Sequence, residues 1–400
     1  MKKKKLTGLF LSLSLASSIV LAGCGSDSSN NDSGSSSSSG NDGETIKIGA
    51  NLELSGGVAS YGQSILEGLE LAIEEINKEG IDGKKLELVT KDNKSEGSEA
   101  TSAALNLLTQ EQVVASVGAA TSGNTLAQVE IANTHQIPII SPSGTSPDIT
   151  FKDDKLNEFA FRTSFIDPFQ GTVAANFATQ EVKATKAAIY IDNASDYSKG
   201  LAAAFVAQFE ANGGEIVAEE AYVAKETDFR STLTRLKSAE PDFIFLPGYY
   251  EEVGLIVKQA REAGLNVPIM GGDGWDSPTL IDIAGPEALN NTFITNHYSS
   301  GDPDPKIQEF VTAFKAKYSD KSPDAFNALG YDTGYFLADA IERAGSTDPV
   351  EIKEALAATK SLELITGTFT LDDKHNPVKS ATILEFVNGE QQFKTKIDPQ

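Results

Sequence analysis

From residue 45 onward, short apolar runs alternate with stretches whose apolar residues recur at helical spacing, and this alternation constrains the fold most. The predicted strands are mostly apolar throughout, with little alternation of apolar and polar residues. Such strands are buried on both faces, which is typical of parallel sheets covered by helices. We therefore predict an α/β fold. One series of predicted strands lies at 46–52, 86–91, 113–117, 137–141 and 159–164, and a second at 187–191, 215–222, 243–246, 268–270 and 293–296.

The clearest helical patterns lie at 61–79, 253–263, 307–318 and 326–344. In the first of them Ile65, Leu69 and Ile73 fall on one face, and Gly80 ends the run. The two strand series predict two similar lobes. We expect the later helices to return to lobe 1 and the extended tail to join lobe 2. The predicted domains are 45–163 plus 297–366 for lobe 1 and 164–296 plus 367–397 for lobe 2.

The N-terminal residues have the order of a secretory signal. Four lysines at 2–5 precede an apolar stretch at 6–21, and the small residues Ala22 and Gly23 precede Cys24. The apolar stretch is shorter than the roughly 20 residues that span a bilayer. We predict a signal peptide at 1–23 and a flexible, serine-rich tether at 24–44. Cys24 is the only cysteine, so the remaining chain has no disulfide.

Charge and motif content favour a protein that binds a ligand without transforming it. The chain has 33 Lys and Arg against 57 Asp and Glu, so non-specific binding to nucleic acid is not expected. His135, His297 and His375 lack metal-ligand spacing, and we predict surface or packing roles for them. There is no nucleophile elbow, phosphate-binding loop or dinucleotide fingerprint. We expect no metal and no cofactor, although a Ser/His/Asp site assembled from distant positions remains open.

Candidate ligand contacts follow the predicted strands, because open parallel sheets bind ligands at the carboxyl ends of their strands. In the first series these loops are rich in hydroxyls and precede helices, at 54–62, 118–125 and 141–148. Hydroxyls and free backbone N–H groups at helix starts suit a carboxylate. Ser122 is equally suited to cap its own helix, and residues 146–148 fit an N-cap followed by proline.

The loops of the second series, at 192–197, 247–252 and 271–277, carry tyrosines and acids instead. Asp273 would balance an ammonium group, since a buried charge needs such a partner. The alternative is a turn aspartate between glycines. Trp275 either walls the cleft or packs in the core, and Tyr331 is predicted to be a core residue.

Six stretches carry a resemblance to a known family. They are LSGGVASYGQ (54–63), AIEEINKEG (72–80), IISPSGTSPDIT (139–150), FRTSF (161–165), LPGYYEEVGLIVKQAREAGL (246–265) and GGDGWDSPTL (271–280). In this order, residues 45–395 resemble the type I periplasmic binding proteins of ABC importers, in the leucine/isoleucine/valine-binding branch. The resemblance implies two Rossmann-like lobes with parallel sheets, joined by a three-strand hinge and closing on a small ligand, and no enzymatic activity.

A second resemblance concerns the N-terminus. Residues 21–24, LAGC, resemble the lipobox of bacterial lipoproteins. This implies cleavage before Cys24, a diacylglycerol on its sulfur, and a protein anchored to the outer face of the cell membrane.

The family resemblance also implies a ligand site. Around the ligand's carboxylate it places Tyr61, Ser122, Ser143 and Thr145, and on the other lobe it places Tyr197, Tyr249 and Asp273. Asp273 would pair with an α-amino group. Family members often carry Glu at this position, and because aspartate is one methylene shorter, the ammonium would sit deeper or be bridged by water. The expected ligand is a branched-chain or other neutral amino acid, delivered to an ABC permease and its ATPase subunits. An amide, urea-like or aromatic acid ligand, and a role as an extracellular sensor or enzyme domain, stay open.

Overall fold

The computed structural model describes residues 45–398; the predicted signal peptide, Cys24 and the tether lie outside the described residues. The strands are β1 Thr45–Leu52, β2 Lys85–Asp92, β3 Ala115–Gly118, β4 Ile139–Ser141, β5 Phe151–Lys152, β6 Lys155–Leu156, β7 Ala160–Arg162, β8 Lys186–Asp192, β9 Glu215–Tyr222, β10 Phe243–Phe245, β11 Ile269–Gly271, β12 Thr292–Asn296, β13 Leu362–Leu364, β14 Gly367–Leu371, β15 Pro377–Val378, β16 Ala381–Val387 and β17 Glu390–Ile397. The helices are α1 Ala59–Glu79, α2 Gly97–Thr109, α3 Ser122–His135, α4 Asp167–Phe177, α5 Asp196–Ala211, α6 Arg230–Ser238, α7 Tyr250–Glu262, α8 Pro278–Ala284, α9 Pro305–Lys317, α10 Ala325–Ala344 and α11 Pro349–Ala357.

The first sheet is entirely parallel, with the strand order β2-β1-β3-β4-β7. Its inner strands β3 and β4 are buried along their whole length. Ile48 of β1 pairs with Leu88 on one side and with Ala115 on the other. The parallel pairing is confirmed for this sheet, whereas complete burial holds for β3 and β4 and not for the edge strand β2, of which only Leu86 is buried.

The second sheet has the order β17-β16-β12-β11-β10-β8-β9. Strands β12, β11, β10, β8 and β9 are parallel to one another, whereas β16 and β17 form an antiparallel hairpin along β12. Asn388 and Gly389 turn this hairpin with φ of 52° and 83°. Two positive φ values are what a tight hairpin turn requires, so the Asn-Gly signal specifies the turn locally.

Helices α1 and α10 lie in close contact because glycines remove the side chains between them. A Cβ on Gly68 would lie 1.9 Å from the Asn327 carbonyl oxygen, and one on Gly330 would lie 2.2 Å from that of Ile65. This packing brings the later helices α9 and α10 back to the first sheet. We call the first sheet with α1–α3, α9 and α10 lobe 1, and the second sheet with α4–α8 lobe 2.

The chain passes between the lobes three times, after β7, after β12 and before β16. The first part of the tail lies in a small separate sheet, in which β14 pairs with β13 on one side and with β15 on the other, and only β16 and β17 join the second sheet. The α/β fold with two parallel-stranded lobes is therefore confirmed, while the domain boundaries stay a prediction. Among residues 45–398 no helix has the length and hydropathy to cross a membrane.

Candidate ligand-binding site

A small cavity with about 10 Å³ of free space lies between the two lobes. Its walls come from loops at the carboxyl ends of the strands and from the starts of α1 and α10. The lining residues are Tyr61, Ala120, Thr121, Ser122, Ser143, Thr145, Tyr197, Tyr249, Asp273, Gly274 and Phe326. All seven residues predicted for the site are among them. A cavity of this size holds about one water molecule, so its walls must move apart to admit an amino acid.

Lobe 1 presents a wall of hydroxyls. The Ser122 hydroxyl accepts from the backbone N–H groups of Thr145 (3.2 Å) and Ser146 (3.1 Å), so it holds the loop after β4 rather than capping α3. The Ser143 hydroxyl donates to the Ala120 carbonyl (2.7 Å). The Thr145 hydroxyl is buried and has no hydrogen-bond partner. A buried hydroxyl without a partner costs free energy, and a ligand in the cavity would supply one.

Glu53 organises this wall from behind, and the sequence analysis missed it. Its carboxylate accepts from the backbone N–H groups of Ala120 (2.9 Å) and Thr121 (3.1 Å) and from the Thr121 hydroxyl (2.9 Å) and Asn124 amide (2.9 Å). These bonds satisfy donors at the start of α3. The available signal was a glutamate placed directly after the buried strand β1.

Lobe 2 presents one carboxylate. Asp273 follows β11, and its Oδ1 accepts from the Tyr197 hydroxyl and from the Gln170 amide, each at 3.0 Å. Its Oδ2 lies 3.1 Å from Nε2 of His297. Glycine at 272 makes room, because a Cβ there would lie 2.4 Å from Oε1 of Gln170. Asp273 is thus a fixed, buried charge and not a solvated turn residue.

Aromatic rings form the remaining walls. Tyr61 stacks on Phe326 with ring centroids 4.3 Å apart, and Tyr249 stacks on Tyr197 at 5.2 Å. Burial is the main cause that raises the phenol pKa of Tyr61, Tyr197 and Tyr249 above its ordinary value. The three hydroxyls therefore stay uncharged and can donate hydrogen bonds at neutral pH.

Contacts across the cleft hold the two lobes together. The Tyr61 hydroxyl donates to the Gly274 carbonyl and accepts from the Tyr250 N–H at 3.3 Å. The hydroxyls of Ser60 and Ser277 lie 2.8 Å apart. These bonds join α1 of lobe 1 to loops of lobe 2, so the protein is in a closed conformation.

Asp273 is the one charged side chain among the residues that line the cavity. The cavity therefore has a negative end on lobe 2, and on lobe 1 hydroxyls together with the start of α3, where the helix dipole is positive. A larger depression of about 540 Å³ lies beside Phe177 and Phe293, but its lining side chains contain no buried polar atom without a partner. Between residues 45 and 398 no cluster of His, Cys, Asp and Glu could hold a metal ion.

Several predicted positions lie elsewhere. Trp275 is fully buried, and its indole N–H donates to the Leu246 carbonyl at 3.0 Å, so it packs in the core and does not wall the cavity. Tyr331 is only partly buried, and its hydroxyl donates to Glu75 (2.6 Å) away from the cavity. Phe326, at the start of a predicted helix, was not predicted for the site; it reaches the cavity because α10 crosses α1.

The family model described as periplasmic binding protein matches residues 45–391. A leucine-, isoleucine-, valine-, threonine- and alanine-binding protein of Pseudomonas aeruginosa is 33% identical over 332 residues, covering 83% of this chain and 87% of the relative. The crystal structure of the branched-chain amino acid transporter substrate-binding protein LivJ of Streptococcus pneumoniae, in complex with isoleucine, is 42% identical with a TM-score of 0.84, covering 89% of this chain and 100% of that one. A solute-binding protein of an ABC transporter from R. palustris, in complex with benzoate, is 27% identical with a TM-score of 0.81, covering 89% and 97%.

Proposed function

We propose that this chain, which belongs to the periplasmic binding protein family, captures a branched-chain or other neutral amino acid and delivers it to an ABC permease with its ATPase subunits. Proteins of this family bind solutes and are not enzymes, which confirms the predictions made from the motifs. The observation that carries the ligand proposal is the cavity's polarity, with one buried carboxylate facing a wall of hydroxyls.

In this proposal the ligand is bound as a zwitterion. The hydroxyls of Ser122 and Thr145 and the first N–H groups of α3 receive its carboxylate. Ser143, whose hydroxyl donates to the Ala120 carbonyl, lies beside them in the cavity wall. Asp273 receives its ammonium group, and the aromatic rings of Tyr61 and Phe326 exclude water from the cavity. Because the cavity is lined by no cationic side chain, a second carboxylate on the ligand would lack a partner. A neutral side chain is therefore favoured over an acidic one.

Closure follows from the same contacts. A ligand shifts a protein toward the closed conformation only if it binds that conformation better than the open one. A zwitterion that touches the hydroxyls of lobe 1 and Asp273 of lobe 2 meets this requirement, since both contacts form together only when the lobes meet. The bridge through Tyr61 then adds protein–protein bonds to the ligand's own.

The second candidate is an amide, urea-like or aromatic acid ligand; the benzoate complex of the R. palustris relative motivates the aromatic acid. Benzoate carries no cation, so it would leave the Asp273 carboxylate, which is only 3% exposed, buried without a counter-charge. This favours the amino acid. An extracellular sensor would bind the same ligands, but deleting it would leave amino acid uptake unchanged.

A thermal-shift screen with the purified protein tests the ligand class. We expect leucine, isoleucine or valine to raise the Tm, because a ligand at 100 times its Kd stabilises the native state by about 2.7 kcal/mol. Benzoate and simple amides serve as the competing ligands. A Tm that rises with benzoate and with no amino acid would overturn the proposal.

We place the protein at the outer face of the cell membrane, anchored through a lipid on Cys24. The support is the order of basic, apolar and small residues that ends in LAGC at 21–24. In the native host, the Cys24→Ala protein should not be labelled by a palmitate analogue and should be absent from the membrane fraction. The neighbouring control Ser26→Ala should be labelled and should remain in the membrane fraction. Full labelling of the Cys24→Ala protein would exclude this anchor.

A further inference from the structure

We propose that His297 is a positioning residue that fixes the Asp273 carboxylate at the place where the ligand's ammonium group binds. The inference rests on the proposed function and extends it to a residue that does not line the cavity. The sequence analysis predicted only a surface or packing role for this histidine.

The first argument is the division of the carboxylate's hydrogen bonds. Gln170 and Tyr197 both donate to Oδ1 of Asp273, at 3.0 Å each. His297 contacts the other oxygen, Oδ2, through Nε2 at 3.1 Å. An ionised carboxylate only accepts, so Nε2 carries the proton and donates. Because the two oxygens are held from different residues, the carboxylate cannot rotate without breaking one of these bonds.

The second argument is that the imidazole itself is held rigidly. Its side chain is 1% exposed, and its ring stacks on Phe165 with centroids 3.7 Å apart and an interplanar angle of 22°. His297 directly follows β12, and Thr295 of that strand donates to Oε1 of Gln170 at 2.6 Å. The end of β12 therefore fixes two of the three side chains that hold the Asp273 carboxylate, Gln170 and His297.

The third argument is charge. Burial lowers the pKa of His297 to about 4, although its hydrogen bond to Asp273 opposes the shift. The imidazole is therefore neutral at pH 7. A neutral donor orients the carboxylate without cancelling its charge, so the charge stays available for an ammonium group. An arginine or lysine in the same place would have neutralised it.

The competing explanation is that His297 only fills space in the core of lobe 2. The two explanations differ in which substitutions matter. A positioning role needs an N–H donor at the reach of Nε2, whereas a packing role needs only volume. A glutamine amide reaches as far as Nε2, while an asparagine amide reaches only as far as Nδ1.

The experiment is isothermal titration calorimetry with L-leucine on the purified protein. We expect His297→Leu and His297→Asn to raise the Kd about tenfold or more, because a hydrogen bond to a charged group is lost. His297→Gln should stay within about threefold of the parent protein. In Asp273→Asn/His297→Leu the Kd should match that of Asp273→Asn alone, since the two residues then act through one group.

His375 offers a matched control. It is also a buried histidine stacked on a phenylalanine, Phe161, at 4.2 Å, and one ring nitrogen lies 3.0 Å from the Ala160 carbonyl oxygen. It lines no part of the cavity. His375→Leu should lower the Tm and leave the Kd for leucine within about twofold.

The outcomes separate this inference from the proposed function. If the unsubstituted protein binds leucine but His297→Leu and His297→Asn leave the Kd unchanged, the positioning role is wrong and the proposed function stands. Equal losses in the Gln and Leu variants, or additive losses in the double variant, also overturn it. If the folded, unsubstituted protein binds no amino acid, both fail. Should His297→Leu not fold, the comparison of the Asn and Gln variants decides.

Discussion

Asp273→Asn tests the reasoning about the cavity's charge most directly. The substitution keeps the shape of the side chain and removes its charge. An asparagine oxygen can still accept from Gln170 and Tyr197, because the Gln170 amide nitrogen and the Tyr197 hydroxyl each lie 3.0 Å from Oδ1 of Asp273 in the unsubstituted protein. Its amide can donate to Nε2 of His297 after the imidazole changes tautomer. The fold should therefore survive, and the Tm without ligand should change little.

The expected loss of affinity follows from burial. A hydrogen bond to a charged group contributes about 1.5–3 kcal/mol, and leaving one partner of a buried charge pair unpaired costs about 2–5 kcal/mol. Asp273 is 3% exposed, so water cannot take the place of the Asp273 carboxylate as the partner of the ligand's ammonium group. Taking about 2 kcal/mol as the lower end, the Kd for leucine should rise roughly thirtyfold or more.

Calorimetry with leucine and with 4-methylpentanoate, which lacks the ammonium group, measures this effect. Only leucine binding should weaken. Asp192→Asn is the matched control, because Asp192 is another buried aspartate at a strand end of lobe 2, where it accepts from the Ala194 N–H (2.9 Å), and it does not line the cavity. An unchanged Kd for leucine in Asp273→Asn, or an equal loss in Asp192→Asn, would refute the ammonium assignment.

Three further predictions concern closure, the core and pH. Tyr61→Phe removes the hydroxyl that bridges to the Tyr250 N–H; small-angle scattering should show a smaller closed fraction, and the Kd should rise about threefold to tenfold, as expected for one net hydrogen bond. Trp275→Phe leaves the Leu246 carbonyl without its donor and creates a cavity. The free energy of unfolding, measured with urea, should therefore fall by about 2–4 kcal/mol, and the Kd for leucine should change by less than about threefold. Burial and the nearby acid Asp276 raise the pKa of Asp324 to about 7, above its value in the unfolded chain. Between pH about 4 and 7 the native state therefore binds more protons than the unfolded chain, and the free energy of unfolding falls as the pH rises. Asp324→Asn keeps a good N-cap for α10 and should flatten that slope by up to about 1.4 kcal/mol per pH unit in urea titrations; an identical slope in both proteins would contradict it.

Local sequence determined much of the fold. The strands β8 and β10 are mostly apolar runs whose burial on both faces is implied by the absence of polar alternation. The Asn-Gly pair at 388–389 specifies its hairpin turn through its own backbone preferences. Helix α1 begins within two residues of the predicted start and ends where predicted.

The location of the site was also predictable, because it depends on strand polarity. In parallel sheets every loop that follows a strand lies at the same edge. The loops that carry Ser122, Thr145 and Asp273 could therefore be selected before their contacts were known, and the structure brings them to one cavity.

What only the tertiary structure decided is how the site is held. Gln170 lies 103 residues before Asp273 in sequence, and His297 lies 24 residues after it, yet all three meet at one carboxylate. Phe326 reaches the cavity only through the crossing of α1 and α10. Periodicity and turn chemistry act between neighbours along the chain, whereas a buried hydrogen bond depends on where separate elements converge. The sequence by itself thus determined the helices and strands and the sheet edge that carries the candidate site. Which side chains support the Asp273 carboxylate depends on the tertiary structure, because the chain passes between the lobes three times and brings distant segments together.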